Sequence, residues 1–350
     1  MRPRTIKSAI GEGWRRARTR VAGSAIVLMY HRVTDLGADP ARLAVDVEHF
    51  REQMDVLATS YNLLTAHELV DHIARRKRIP ERSVVVTLDD GYSDALLNAK
   101  PILTEYSVPA TVFVCSNYVG GDVEFWWDEL GRVVLSSEEL PMRLEIEAGF
   151  AKYMRSIEPD PGRAAADSAS EDNWDITRPP VSDRQRSYLE LREFFRPLSP
   201  AEREVAMESL HTQFGVAPFV RPSHRPLTAE ELVKLGGSGI EIGAHTKSHQ
   251  LLVARTPEEQ RDEVTGSKSV LEQACRCDVP LFSYPYGDVD SFSESSVSTV
   301  RNAGFFGAFT TEFGATFPWT DRFRIPRCPS ENIGGAQFAE RLDRWFEMGR

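Results

Sequence analysis

The chain has 350 residues, 41% hydrophobic and 27% charged, with a formal net charge of -10. That composition suits a globular fold with a large core, built as one barrel with an insertion or as two domains, and the acidic balance argues against a nucleic-acid binder. No run approaches the ~20 apolar residues of a membrane span. The cysteines Cys115, Cys275, Cys277 and Cys328 lack a disulfide framework or CxxC spacing, so free thiols are expected.

Residues 1–24 come first. They lack the apolar stretch of a secretory signal and are basic, with Arg2, Arg4, Lys7, Arg15, Arg16, Arg18 and Arg20 against a single Glu12. Such an arm is solvated, or it touches an anionic membrane surface weakly with help from Ile6, Ile10 and Trp14. The expectation is a cytoplasmic protein, peripheral to the inner membrane surface if the arm binds.

The first of seven short apolar runs is IVLMY (Ile26 to Tyr30), followed directly by His31. DVEHFREQMDVLA (Asp46 to Ala58) places Val47, Phe50, Met54 and Leu57 on one helical stripe. In TAHELVDHIARR, Thr65 caps a helix and Glu68 completes a capping box. The second run, VVVTL (Val84 to Leu88), ends in Asp89, Asp90 and Gly91, and the third is ATVFV (Ala110 to Val114). The rhythm then breaks. Residues 116–226 read as a largely helical insertion, with the acidic loop EPDPGRAAADSASEDNWD inside it. The later runs are IEIGA (Ile240 to Ala244), LFSYP (Leu281 to Pro285), FGAFT (Phe306 to Thr310) and FRIP (Phe323 to Pro326). A helix starts at Thr256 with Pro257 in its first turn, and another spans Ala336 to Met348. Continuously apolar strands alternating with helices predict a parallel α/β fold. The parts are a basic arm (1–24), a first barrel portion (25–115), an insertion that caps the mouth (116–226) and a second barrel portion (227–350).

Three strand ends carry chemistry. Asp-Gly is a common turn, so TLDDGY has a local explanation, but two adjacent carboxylates at a strand end also suit a site. HTKSH places His245 and His249 four apart after a strand, as a surface pair or as two metal ligands. In FSYPYG, Pro285 fixes the backbone and Gly287 turns it, which can aim the Tyr286 N–H into a cleft. In parallel barrels, reacting groups gather at the C-terminal ends of strands.

Together TLDDG, HTKSH and FSYPYG resemble the three leading motifs of the polysaccharide deacetylase family (NodB-homology, carbohydrate esterase family 4). The resemblance covers Ile26 to about Phe346, apart from the insertion. It implies a distorted (β/α)7 barrel and metal-dependent removal of an acetyl group from an N-acetylated sugar. Asp90, His245 and His249 would hold one divalent ion, Zn2+ foremost with Co2+, Ni2+ or Fe2+ as alternatives. Asp89 would be the general base and the Tyr286 N–H would meet the oxyanion. The third motif usually carries an arginine that orients the base. Here Ser283 stands near that place, and Arg324 or Arg327 in FRIPR could reach back. The late histidine of the family is missing after His249. IVLMYH has its shape, as in the branch that resembles exopolysaccharide poly-N-acetylglucosamine deacetylases, which nominates His31 as general acid. Trp126, Trp127 and Asp128 in EFWWDEL either pack the insertion or contact substrate with Pro285 and the arginines. Two other readings stand beside this one: hydrolysis of a different C–N bond, in a formamide or cyclic imide, and a catalytically silent sugar binder. Oligomeric state is not legible.

Overall fold

The computed structural model describes residues 23–120, 123–157, 174–237 and 239–348. The basic arm and the acidic loop therefore lie, all but their last two residues, outside the described residues. In chain order the strands are β1 (Ala25–Tyr30), β2 (Arg32–Val33), β3 (Ala44–Val45), β4 (Asn62–Leu63), β5 (Ser83–Leu88), β6 (Ala110–Val114), β7 (Arg143–Ala148), β8 (Ala151–Ser156), β9 (Glu241–Ala244), β10 (Leu281–Ser283), β11 (Gly307–Phe309) and β12 (Cys328–Pro329). Every residue of β1, β5 and β6 is buried. This is the burial that their unbroken apolar runs require, since helices cover one face and the barrel interior lies against the other.

The main sheet runs β11-β10-β9-β6-β5-β1-β12, with β4 also paired to β5, and its pairings are parallel. Ile325 makes a parallel bridge to Phe309 of β11, and Cys328 pairs with Leu28 of β1. The stretch from Ile325 to Pro329 thus joins the last strand to the first and closes a distorted (β/α)7 barrel. The strand expected over Phe323 to Pro326 is reduced to that one bridge. Regular pairing begins two residues later, because Arg327 is turned to a different task.

Inward residues Val27, Val85, Phe113, Leu281, Phe309 and Ile325 share one core with Leu69, Val70 and Ile73 of the helix Ala66–Ala74. That helix carries the Thr65–Glu68 capping box. The helices Val47–Ser60, Pro257–Cys275 and Gly335–Met348 occupy their expected places, the second with a Thr256–Glu259 capping box. Among the described residues no helix is long and apolar enough to cross a membrane, and all four cysteines are free.

Residues beyond β6 build their own core. The helices Trp126–Ser136, Asp183–Phe195 and Pro200–Phe214 and the β7–β8 hairpin enclose Leu130, Ile146, Tyr188, Leu191, Phe195 and Leu210. The hairpin was not expected. Its signal is the alternation RLEIEA, buried at every second residue, followed by a Gly149-Phe150 turn.

Candidate active site

β5 ends where its chain must turn. Asp90 takes a left-handed φ of 74° and Gly91 one of 90°. Only glycine fits at 91, because a Cβ there would lie 2.9 Å from Val114 Cγ1. This turn sends the two carboxylates to different partners. Asp89 receives two bonds from Arg327, Nη1 to Oδ1 and Nη2 to Oδ2, each 2.7 Å. Arg327 is fully buried and also donates to Thr310 O, Thr87 Oγ1 and Ser283 Oγ. Burial alone would raise the Asp89 pKa, but the Arg327 charge overrides it and holds the carboxyl at about 2.

Asp90 has no such partner. Its Oδ1 is buried and accepts no hydrogen bond from any described group. It lies 3.6 Å from His245 Nε2 and 3.6 Å from His249 Nε2. His245 Nδ1 lies 2.8 Å from Ser283 O, so Nδ1 carries the proton and Nε2 presents a lone pair towards Asp90. Burial lowers the pKa of both imidazoles, and they also repel each other's charge at His249, so both rings are neutral. Burial, then the negative charge of Asp89, pushes Asp90 well above the ordinary carboxylate range. The orphaned, buried Asp90 Oδ1, 3.6 Å from each of two imidazole Nε2 atoms, is too far for direct hydrogen bonds. Yet a tetrahedral ion with bonds of ~2.1 Å holds its ligand atoms roughly 3.4 Å apart. The three residues fit a divalent cation, and they form one group whose ligand atoms all lie within 4.8 Å.

Three further residues at this site take positive φ without being glycine: Thr246 (61°), His249 (52°) and Tyr286 (61°). Each costs of order 1–3 kcal/mol and persists only where surrounding bonds impose it. At the second motif those bonds come from Glu263, which accepts from Lys247 N, Ser248 N and Ser248 Oγ. Arg203 of the cap adds contacts to Ser248 O, His249 O and the Tyr286 hydroxyl. At the third motif, Gly287 N bonds Pro285 O at 2.7 Å. No described group accepts from the Tyr286 N–H.

One pocket gathers His31, Asp89, Asp90, Trp126, Trp127, His245, His249 and Tyr286. The residues that three strand ends nominated therefore meet, joined by His31 from the end of β1. Burial pulls the His31 pKa down to about 4, with Asp89 opposing and Arg327 and His245 adding to the fall. Trp127 rests against the His249 ring at 4.6 Å, and Trp126 stacks on Phe195 at 5.8 Å. The two tryptophans both wall the pocket and pack the cap.

Other nominated residues go elsewhere. Arg324 lies at the surface and pairs with Glu294 at 2.7 Å, so of the two candidate arginines Arg327 meets Asp89. Arg327 in turn is sealed beneath Asp89 rather than facing substrate. Pro285 is buried behind its turn. The Asp128 carboxylate accepts from Tyr92 Oη at 2.6 Å and lines a neighbouring cavity. Sequence reasoning missed Arg203 and Glu263, which lie on helices with no local mark of their task.

The fold is a parallel α/β barrel with a candidate metal site at the C-terminal ends of its strands. Residues 76–140 and 211–306 match the family model described as Polysaccharide deacetylase. The match takes in 161 of the 350 residues, and over those residues the chain is similar to that family. It is 32% identical over 95 residues to the protein YxkH of Bacillus subtilis, covering 27% of this chain and 33% of YxkH. It is 31% identical over 112 residues to the poly-beta-1,6-N-acetyl-D-glucosamine N-deacetylase of Staphylococcus epidermidis, covering 28% of this chain and 38% of that one. The aligned part thus spans only about a third of these relatives' length. In fold it is similar to the Streptococcus pyogenes deacetylase PplD solved with acetate, with a TM-score of 0.57 at 15% identity over 92% of this chain and 98% of that one.

Proposed function

We propose that the chain is a metal-dependent hydrolase that removes the N-acetyl group from an N-acetylhexosamine unit of a glycan, glycolipid or glycoside. The observation that carries this reading is the floor of the pocket. There Asp90, His245 and His249 converge while the adjacent carboxylate is reserved, ionised, by Arg327. The activity named for the Staphylococcus relative supports it.

Asp90, His245 and His249 would hold the ion, Zn2+ foremost, which when bound acidifies a water and polarises an acetamide carbonyl. The protein's own groups do the rest. Asp89 takes the proton of the attacking water. Both its oxygens carry an Arg327 bond, and Oδ2 also accepts from Ser283 Oγ at 3.3 Å, so Oδ1 keeps the second lone pair for this. The Tyr286 N–H, with no competing acceptor, donates to the carbonyl oxygen as charge develops on it. His31 protonates the leaving nitrogen. With a pKa of about 4 it is neutral at pH 7, so it relays the proton released at the water rather than storing one of its own. Trp126 and Trp127 wall the acetamido sugar. A cytoplasmic site of action and a weak contact of the basic arm with an anionic membrane rest on the charge of that arm.

The test is acetate release by metal-loaded protein from acetamido sugars in free, lipid-linked and polymeric form. Turnover of formamides or cyclic imides without acetate would select the other C–N chemistry. Sugar binding with a stoichiometric metal and no turnover would select the silent binder.

A further inference from the structure

A second cavity shares the Trp127 wall of the first, between the cap and the loop from Leu36 to Ala41. It shares Ala41 and Trp127 with the catalytic pocket, so the two are neighbours across one indole. Its lining includes Tyr188 (0% exposed), Gln185 (2%) and Arg132 (9%), all almost wholly buried. Each leaves donors unused among the described residues: the Tyr188 hydroxyl, Gln185 Nε2, and Arg132 Nε and Nη2. A buried donor without an acceptor is costly, and more so when charged. Three around one space therefore point to an acceptor-rich occupant.

The other charged groups of this cavity are already engaged. Asp39 accepts from Leu43 N and Ala44 N, and Asp128 from Tyr92 Oη. Arg221 forks onto Glu124, and Arg184 bonds Val134 O. The nearest carboxylate to Arg132 is Glu129, 3.6 Å from Nη2, and that same oxygen takes the 2.7 Å bond of His211 Nε2. Arg132 Nη1 reaches Ala217 O at 3.5 Å and the guanidinium lies 4.3 Å from the centroid of the Phe219 ring, which leaves Nε and Nη2 without a hydrogen-bond acceptor among the described residues. The free volume of the cavity, ≈ 80 Å³, is that of a few waters. It suits one substituent, not a sugar ring.

We propose that this cavity receives an oxyanion group, a carboxylate or a phosphate, carried by the substrate beside the acetamido sugar, with Arg132, Gln185 and Tyr188 as its donors. The inference rests on the deacetylase reading and deepens it: the substrate is an acidic glycan or a phosphate-linked sugar rather than a neutral polymer. Trp127 separates the two subsites, so the oxyanion sits on the linkage or the adjoining unit.

The experiment compares kcat/KM for acetate release from three probes: di-N-acetylchitobiose, a glucuronate–N-acetylglucosamine disaccharide, and N-acetylglucosamine 1-phosphate. Wild-type protein should favour at least one acidic probe over the neutral one by about 10-fold or more, the worth of a charge-assisted bond. The better of the two acidic probes identifies the source of the oxyanion. Arg132→Gln should erase that preference and leave the rate on chitobiose unchanged. Gln185→Glu keeps the acceptor that Val181 N uses and places a carboxylate at the donor position, so it should penalise the acidic probes selectively. Equal kcat/KM for neutral and acidic probes in the wild type overturns the proposal, as does a variant that slows all three alike. Should no probe release acetate, the deacetylase reading has failed instead. Calorimetric titration with glucuronate and glucose 1-phosphate against glucose then decides the cavity on its own: tighter binding of an acidic sugar, lost in Gln185→Glu, supports it, and equal binding overturns it.

Discussion

Replacing Arg327 by Met tests whether the ion pair beneath the site holds both base and barrel. Arg327 is fully buried and makes five contacts: two to Asp89, and one each to Thr310 O, Thr87 Oγ1 and Ser283 Oγ. Methionine fills much of the volume but donates nothing. Asp89, 2% exposed, would keep only the Ser283 hydroxyl at 3.3 Å. Breaking a buried pair by removing one partner costs about 3–5 kcal/mol, because the other charge stays behind in low dielectric. Arg327→Met should therefore lose about that much stability in urea unfolding of the metal-free protein at pH 7. Asp89→Asn should lose a similar amount, since it strands the guanidinium. With both charges removed, the loss in Arg327→Met/Asp89→Asn should fall short of the sum by about 2–3 kcal/mol. Acetate release by Arg327→Met should drop roughly 10²–10⁴-fold, the range for an impaired general base. A destabilisation below about 1 kcal/mol, or strictly additive single costs, would refute the argument that this pair is one unit.

His249→Ala should lose most bound metal, measured by equilibrium dialysis with elemental analysis; retention of a stoichiometric ion at wild-type affinity would mean a different ligand set. Asp89→Asn should keep the metal and lose turnover, whereas Asp90→Asn should weaken the metal itself, and equal metal loss in both would end that division of labour. His31→Ala should retain metal and fold while kcat falls, and an unchanged kcat would remove His31 from the reaction. Asp128 gives a pH prediction. Burial, opposed by Arg32 and the Tyr92 bond, raises its pKa from 3.8 to about 6 in the folded chain. The folded state therefore binds its proton more tightly than the unfolded one, and the associated stability is present below pH 3.8 and lost as pH rises through about 6. Asp128→Asn should accordingly gain about 2 kcal/mol on wild type in going from pH 4 to pH 7. A stability difference between the two proteins that is flat across that range would show the carboxyl to be unstrained.

The sequence by itself determined what is written locally. The unbroken runs at Val84 and Ala110 could only be strands buried on both faces, and the Thr65–Glu68 and Thr256–Glu259 boxes set helix starts within one turn. The acid pair after β5 and the histidine pair after β9 were legible because each motif occupies five residues or fewer at a strand end. What the tertiary structure decided is which distant group meets them. Arg324 and Arg327 are equivalent on paper. They part because Ile325 pairs with Phe309 and its side chain joins the inner core. With a period of two, Arg327 then faces inward with Ile325, and Arg324 faces solvent with Glu294. Such a choice depends on pairing register, here with Phe309 of β11 on one side and with Leu28 of β1 on the other. The same holds for Arg203 reaching the His249 carbonyl and for Tyr188, Gln185 and Arg132 sharing one cavity. Local periodicity reports which face of an element is buried, but it carries no information about what lies opposite, and that is fixed only when the chain closes on itself.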